Sequence, residues 1–320
     1  MCSALAELSD VVSLAISMSV SVGPGGHQPV MTQEVLRYLN PQPGSTVVDG
    51  TVGAGGHSAT ILPRLVPFGR LVAIDRDEEA LAIAQACLAE FIPHVSFVHE
   101  DYRHLGTILQ RLQLSQVDGV VLDLGMSSLQ VDQAHRGFSF SKAAPLDMRM
   151  DCGQELTAER LVNRLTMEEL TTLLGTLGEE RFARRIARSI VEARRRRPIT
   201  MTTDLAEIVT RAVPGNARYG RLHPATRTFQ ALRMTVNDEL GALETLLASL
   251  GHVLRAGGRA VILTFHSLED RLVKRAFVQG MHEGLWTLLT KKPVRPSPEE
   301  VAHNPRARSA KLRAIERLSS

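Results

Sequence analysis

Short runs of hydrophobic residues alternate with amphipathic stretches along the first part of the chain. Four nearly continuous apolar runs predict strands at residues 46–49, 70–75, 95–98 and 119–124. Apolar positions at helical spacing predict helices at residues 32–38, up to Leu62 after a glycine cluster, and at residues 78–90. The alternation of strands with helices predicts an α/β fold whose parallel sheet is buried on both faces.

The pattern changes between residues 131 and 221, where helical spacing dominates and no strand pattern is convincing. Helices are predicted there at residues 157–174 and 178–197. The α/β pattern then returns, with a strand at residues 259–265 and one helix face at Phe229, Leu232, Val236 and Leu240. The middle of the chain is therefore predicted to be an all-helical insertion in an α/β domain.

These patterns predict the organisation of the whole chain. We expect a discontinuous α/β domain at residues 27–131 and 222–320, with the inserted helical domain at residues 132–221. We expect residues 1–26 to be a disordered N-terminal extension, because untethered termini are seldom ordered. The tail from Lys291 is rich in proline and basic residues, and we expect it to wrap the surface.

The composition excludes several classes of protein. With 44% hydrophobic and 22% charged residues over 320 positions, the chain is neither disordered throughout nor fibrous. Its three cysteines lie far apart and form no CxxC pair, which argues against a zinc ribbon or a disulfide framework and fits a reducing cytoplasm. The serine-interrupted apolar run at residues 11–22 follows Glu7 and Asp10, and it matches neither a signal peptide nor a membrane span.

A glycine-rich turn follows the first predicted strand. Glycines at Gly53, Gly55 and Gly56 allow the backbone to approach a ligand closely at the start of a helix. Asp75 ends the second strand, where a carboxylate accepts hydrogen bonds from ribose hydroxyls. NAD enzymes and S-adenosylmethionine enzymes both use these features, but the GxGxxG spacing is missing, and Asp49 before the turn suits an ammonium group better than a pyrophosphate. A structural turn without a ligand is the plainer alternative.

A second carboxylate, Asp123, ends the fourth predicted strand, and we expect it to face the same crevice. An exocyclic amine is a poor nucleophile, because its lone pair is delocalised into the ring. A carboxylate that accepts its N–H protons favours attack and takes the surplus proton. Asp123 is therefore a candidate catalytic residue, and the alternative is that it only caps the next helix or binds cofactor.

Charge is distributed unevenly, although the net charge is only +3. Residues 178–197 carry eight arginines against three glutamates, so this segment alone has a charge of +5. Four of these arginines share one face of the predicted helix, namely Arg181, Arg184, Arg185 and Arg188. Another face, which should pack, carries Phe182, Ile186 and Ile190. The stripe fits a phosphate backbone, and the alternative is a solvated surface.

Longer motifs run in order from about His27 to the end of the chain. They occupy residues 27–31, 49–57, 73–77, 123–128, 136–140, 145–151, 178–183, 223–233, 265–271 and 304–309. The segment HPATRTFQALR at residues 223–233 is far more specific than any glycine turn. Together these motifs resemble the bacterial 16S rRNA cytosine-N(4)-methyltransferase H family.

The resemblance implies a Rossmann-like S-adenosylmethionine-dependent methyltransferase sheet, with S-adenosylmethionine as the methyl donor. It also implies that the inserted domain recognises the substrate, a cytidine in the decoding region of 16S rRNA in the small ribosomal subunit. The implied cofactor contacts are Gly55, Gly56, His57, Asp75, Tyr102, Asp123 and Gln130. The candidate substrate contacts are Arg184, Arg185, Arg188 and His266.

Two other functions remain as alternatives: an NAD(P)-dependent oxidoreductase, and an RNA-binding ribosome assembly factor with a vestigial cofactor pocket. We expect no metal site, because His266, Ser267 and Glu269 are neighbours on one turn and should not converge on a point. The charged positions 147, 149 and 151 predict either an internal ion-pair network or an RNA entrance. The sequence leaves open which cytidine is methylated, whether free rRNA or an assembled subunit is the substrate, and whether the chain forms a homodimer.

Overall fold

The computed structural model describes residues 29–218 and 222–319, so the N-terminal extension predicted at residues 1–26 lies outside the described residues. The strands are β1 (Thr46–Asp49), β2 (Arg70–Asp75), β3 (Val95–His99), β4 (Val117–Asp123), β5 (Leu254–Thr264), β6 (Trp286–Leu288) and β7 (Lys311–Arg317). The helices that flank them are α1 (Thr32–Leu39), α2 (Gly56–Leu65), α3 (Glu78–Cys87), α4 (Leu105–Arg111) and α5 (Ser128–Asp132). The remaining helices are α6 (Ala158–Arg164), α7 (Met167–Thr176), α8 (Ala183–Arg194), α9 (Thr202–Ala212), α10 (Gly215–Arg218), α11 (Thr226–Val236), α12 (Glu239–Val253), α13 (Ser267–His282) and α14 (Pro298–His303).

The strands form one sheet in the order β3-β2-β1-β4-β5-β7-β6. Strands β1 to β5 are parallel, and β7 runs antiparallel to both β5 and β6. One face packs against α1, α2 and α3, and the other packs against α4, α12 and α13. The predicted α/β class with a parallel sheet buried on both faces is confirmed, and the carboxyl ends of β1, β2 and β4 meet at one edge.

The prediction for the C-terminal tail was wrong for its last part. None of residues 291–306 is buried, but the chain then supplies β7, whose Leu312 and Ile315 are fully buried. Its basic residues had predicted a solvated segment, but in the structure they are paired with a carboxylate. Asp270 on α13 accepts from Arg313 at 2.7 Å and from Lys311 at 2.9 Å. The tertiary position of Asp270 therefore makes a basic strand compatible with the interior of the sheet.

The inserted helices have a hydrophobic core of their own, built from α6 to α9. The predicted helix at residues 157–174 is two helices, because Thr166 caps α7 by accepting from the Glu169 amide at 3.2 Å. Helix α11 packs into the same core, which reaches Val236, past the predicted boundary at residue 221. The predicted helix face at residues 229–240 is likewise divided, since Leu240 lies on α12.

Buried polar contacts join the insertion to the sheet domain. The guanidinium of Arg136 donates to Asp77 at 2.8 and 3.3 Å, and both side chains are buried. Arg136 also donates to the carbonyl of Met150 at 2.9 Å. Nearby, Arg149 donates to both carboxylate oxygens of Asp147 at 2.8 Å, which favours the predicted internal ion-pair network in that segment.

Within the described ranges, no helix has the length and apolar character needed to cross a membrane.

Candidate active site

A crevice of about 1270 Å³ opens at the carboxyl ends of the parallel strands. The glycine turn after β1 and the ends of β2, β4 and β5 form one wall. The insertion and α11 form the facing wall, where three aromatic side chains lie: Phe138, Phe140 and Phe229. This is the position at which open α/β sheets bind ligands.

The glycine turn has the backbone shape that its sequence predicts. Gly53 and Gly55 have φ angles of +52° and +89°, which favour glycine over other residues. Gly56 begins α2 and lines the crevice together with His57, so the free N–H groups of this helix start face it. Gly55 faces α3: a Cβ atom added to Gly55 would lie 3.4 Å from the Cβ of Cys87.

Asp75 lines the crevice at the end of β2. One carboxylate oxygen accepts from the Gly53 amide at 2.8 Å, and the other accepts from the Asp77 amide at 2.9 Å. Burial is the main cause that raises the pKa of Asp75 to about 6, although both hydrogen bonds oppose it. Each oxygen keeps one more acceptor position, so the carboxylate can take a pair of ribose hydroxyls.

Asp123 lines the crevice at the end of β4, and its side chain is 29% exposed. Its amide donates to the hydroxyl of Thr51 at 2.7 Å, while its buried Oδ1 has no hydrogen-bond partner among the described residues. The next helix, α5, is capped by Ser127 rather than by Asp123. The capping alternative is therefore wrong, and the Asp123 carboxylate lines the crevice without capping a helix.

His57 and Asp49 lie behind the Asp123 carboxylate. Nε2 of His57 is 3.5 Å from Oδ2 of Asp123. Asp49 is almost fully buried, does not line the crevice, and accepts from the Ser58 hydroxyl at 2.7 Å. Burial raises the pKa of Asp49. The structure therefore places Asp49 below the crevice floor, and not in the position of a direct ligand to an ammonium group.

Two other predicted cofactor contacts differ in their exposure to the crevice. Tyr102 begins the turn after β3 and lines the crevice. It packs closely against Gly50, because a Cβ atom added to Gly50 would lie 3.3 Å from the Cβ of Tyr102. Gln130 is buried and does not line the crevice. Its amide group is occupied, since Oε1 accepts from Ser127 at 3.1 Å and Nε2 donates to Asp77 at 2.9 Å. The structure thus gives Gln130 a supporting position, and its contact with cofactor stays a prediction.

His266 caps the start of α13 and also lines the crevice. Its Nε2 is 3.1 Å from Oε1 of Glu269. Burial alone would raise the pKa of Glu269, but His266 and Arg233 outweigh burial, so this pKa is lowered. The expectation that this turn would not converge was wrong: Glu239 brings a third ligand-type atom, and all three lie within 4.8 Å. Glu239 is already bonded through both oxygens to Arg233, at 2.7 and 2.8 Å, which competes with a cation.

The predicted arginine stripe lies on the surface of the insertion. Arg184, Arg185 and Arg188, which we call the arginine stripe from here on, are exposed on α8. Arg181 precedes the helix and lies over the ring of Phe182 at 4.4 Å. On the opposite face Ile186 and Ile190 are buried, so the predicted packing face is confirmed.

The charge of the crevice limits what it can bind. Six carboxylates and three arginines line it, so its walls are net acidic and repel a pyrophosphate or an RNA backbone. A cationic ligand with hydroxyl and amine donors is compatible with Asp75 and Asp123, and S-adenosylmethionine has this chemistry.

Sequence reasoning missed the pair of Arg233 and Glu239, because only the fold brings α11 and α12 to the crevice. The HPATRTFQALR motif, which contains Phe229 and Arg233, was the available signal.

Comparisons with known proteins agree with the sequence motifs. A family model described as the MraW methylase family matches residues 25–318. A protein of Symbiobacterium thermophilum named ribosomal RNA small subunit methyltransferase H is 48% identical, over 92% of this chain and 97% of its own length. A protein of the same name from Azorhizobium caulinodans is 50% identical, over 93% of this chain and 89% of its own length. The resemblance predicted from the motifs is confirmed, and the chain belongs to the MraW methylase family.

Proposed function

We propose that this protein transfers a methyl group from S-adenosylmethionine to the exocyclic N4 amine of a cytidine in the decoding region of 16S rRNA. One observation carries the proposal: Asp75 and Asp123, on two different strands, open into one acidic crevice whose facing wall is the helical insertion. Family membership and the names of the relatives support the same activity. The proposed substrate is 16S rRNA or the small ribosomal subunit, and we therefore expect the activity to be cytoplasmic.

The residues of the crevice divide the chemistry between them. Bound S-adenosylmethionine supplies an electrophilic methyl group on a sulfonium. Asp75 binds the ribose hydroxyls, and Tyr102 offers an aromatic surface to the adenine. Asp123 accepts the N4–H protons through its carboxylate, which lines the crevice; this directs the amine towards the methyl group and removes the surplus proton.

The substrate base must leave its stack to reach this position. A cytosine amine within paired or stacked RNA cannot approach the methyl group in line, so the base is splayed into the crevice. The acidic crevice does not hold the flanking phosphates. The arginine stripe on the insertion is exposed and has no ion-pair partner among the described residues, and we assign the phosphate contacts to it.

The test is mass spectrometry of nucleosides from small-subunit rRNA of cells that lack this protein. We expect N4-methylated cytidine to be lost, and to return with the wild-type gene but not with an Asp123→Asn gene. An unchanged modification in the deletion strain would contradict the proposal.

Two binding measurements distinguish the alternatives. Calorimetric titration with S-adenosylmethionine would show no heat for an assembly factor with a vestigial pocket. A nicotinamide absorbance change on mixing NAD(P)H with a substrate would identify an oxidoreductase.

A further inference from the structure

His57 is a buried imidazole whose hydrogen-bonding groups are not used. It lies at the start of α2, its side chain is 6% exposed, and neither Nδ1 nor Nε2 has a hydrogen-bond partner among the described residues. Buried polar groups normally have partners, because leaving one unpaired costs the hydration that it lost on burial. The nearest ionisable group is Asp123, whose Oδ2 is 3.5 Å from Nε2, slightly too far for a good hydrogen bond.

The charges that face this imidazole are all negative. Asp123 approaches from the end of β4, Asp49 from the end of β1, and Glu300 from α14. Burial alone would lower the pKa of His57, but these carboxylates outweigh it and raise the pKa above the ordinary value, with Asp123 contributing most. A proton is therefore held more firmly on His57 than on an ordinary carboxylate.

Methyl transfer to a neutral amine releases one proton. The N4 lone pair forms the new N–C bond, the C–S bond breaks with its electron pair going to sulfur, and the methylated nitrogen must then lose H⁺. Asp123 can take that proton, but it must discharge it before the next turnover. Since His57 lies directly behind Asp123, with Nε2 3.5 Å from Oδ2, it offers the proton a second acceptor.

We propose that His57 is the second proton acceptor, which receives the substrate proton from the Asp123 carboxylate at Nε2. This inference rests on the proposed methyltransferase function and adds a residue to it. Asp49 stabilises the resulting imidazolium, because its carboxylate faces the ring from below the crevice. The relay runs from N4 to Asp123 and then to Nε2 of His57, and no oxidant or metal takes part.

The experiment measures the single-turnover rate against pH at saturating S-adenosylmethionine, with small subunits from cells that lack the protein. In the wild-type protein we expect the rate to fall as the pH drops through the raised pKa of His57, since a protonated ring cannot accept. In His57→Gln this acid limb should disappear, and the rate near neutral pH should fall roughly 10²-fold, the low end for loss of an acid–base group. Free imidazole should partly restore His57→Ala.

His94→Asn is the matched control, because His94 is half-buried, bonds to the Gly69 carbonyl and lies outside the crevice lining. It should keep the wild-type profile.

A folding defect in the variants is bypassed by NMR titration of His57 in the intact protein bound to S-adenosylhomocysteine. Asp123→Asn should lower the pKa of His57. An unchanged pKa, or a His57→Gln profile that keeps its acid limb and changes only the KM for cofactor, would overturn the inference. A wild-type protein that methylates no RNA would instead overturn the proposed function.

Discussion

Replacing Asp75 by Asn tests the cofactor assignment most directly. The carboxylate is held by the amides of Gly53 and Asp77, so its remaining acceptor positions point into the crevice. Hydrogen bonds to a charged group contribute about 1.5–3 kcal/mol, which corresponds to roughly 12- to 160-fold in affinity. We expect Asp75→Asn to weaken S-adenosylhomocysteine binding by a factor in this range near pH 7.5, measured by isothermal titration calorimetry.

The pH dependence sharpens the same prediction. Burial raises the pKa of Asp75 to about 6 in the free protein, and hydroxyl donors from the ligand favour the charged form. Wild-type affinity should therefore fall as the pH drops through 6, by about elevenfold at pH 5. Asn cannot titrate, so the ratio of wild-type to variant affinity should shrink by this factor between pH 7.5 and pH 5.

The pKa of His57 is raised by the neighbouring carboxylates, but His57 is present in both proteins and its effect cancels from the ratio. Thermal melting of both proteins controls for misfolding. A ratio that is independent of pH, or an unchanged affinity at pH 7.5, would refute the placement of the ribose at Asp75.

Three further predictions follow from the structure. Asp123→Asn should keep the fold but slow single-turnover methyl transfer by ~10²–10⁴-fold at saturating cofactor; near-normal turnover would show that the acceptor lies elsewhere. Replacing the arginine stripe with glutamines should lower the slope of log RNA affinity against log salt by roughly 0.7 for each lost phosphate contact, with cofactor affinity unchanged; the parent's slope would make the stripe only a solvated surface. Arg136→Met should lower the free energy of unfolding in urea by about 3–5 kcal/mol, because Asp77 is left buried without its ion-pair partner. The exposed pair of Arg197 with Asp204 gives the control, and Arg197→Met should cost less than about 1 kcal/mol.

The sequence by itself determined the central sheet and the main features of the crevice. Strands β1 to β4 lie within a few residues of their predicted bounds, because each is a nearly continuous apolar run of strand length, which is typical of a parallel sheet covered on both faces. The same parallel order places Asp75 and Asp123 at one edge, since the carboxyl ends of neighbouring parallel strands must meet there. The buried face of α8 followed from its spacing, which a helix fixes locally.

Only the tertiary structure decided how distant charges are paired. A basic tail becomes strand β7 because Asp270, 41 residues before Lys311 and 43 before Arg313, neutralises it from α13. The carboxylate of Glu239 lies beside His266 and Glu269 because α12 is packed against α13. Residue spacing within either helix does not predict this contact. His57 stands behind Asp123 for the same reason: they lie on separate elements that the sheet brings within 3.5 Å. Sequence patterns report which side chains a helix or strand buries, whereas the contacts between elements depend on the packing of the whole fold.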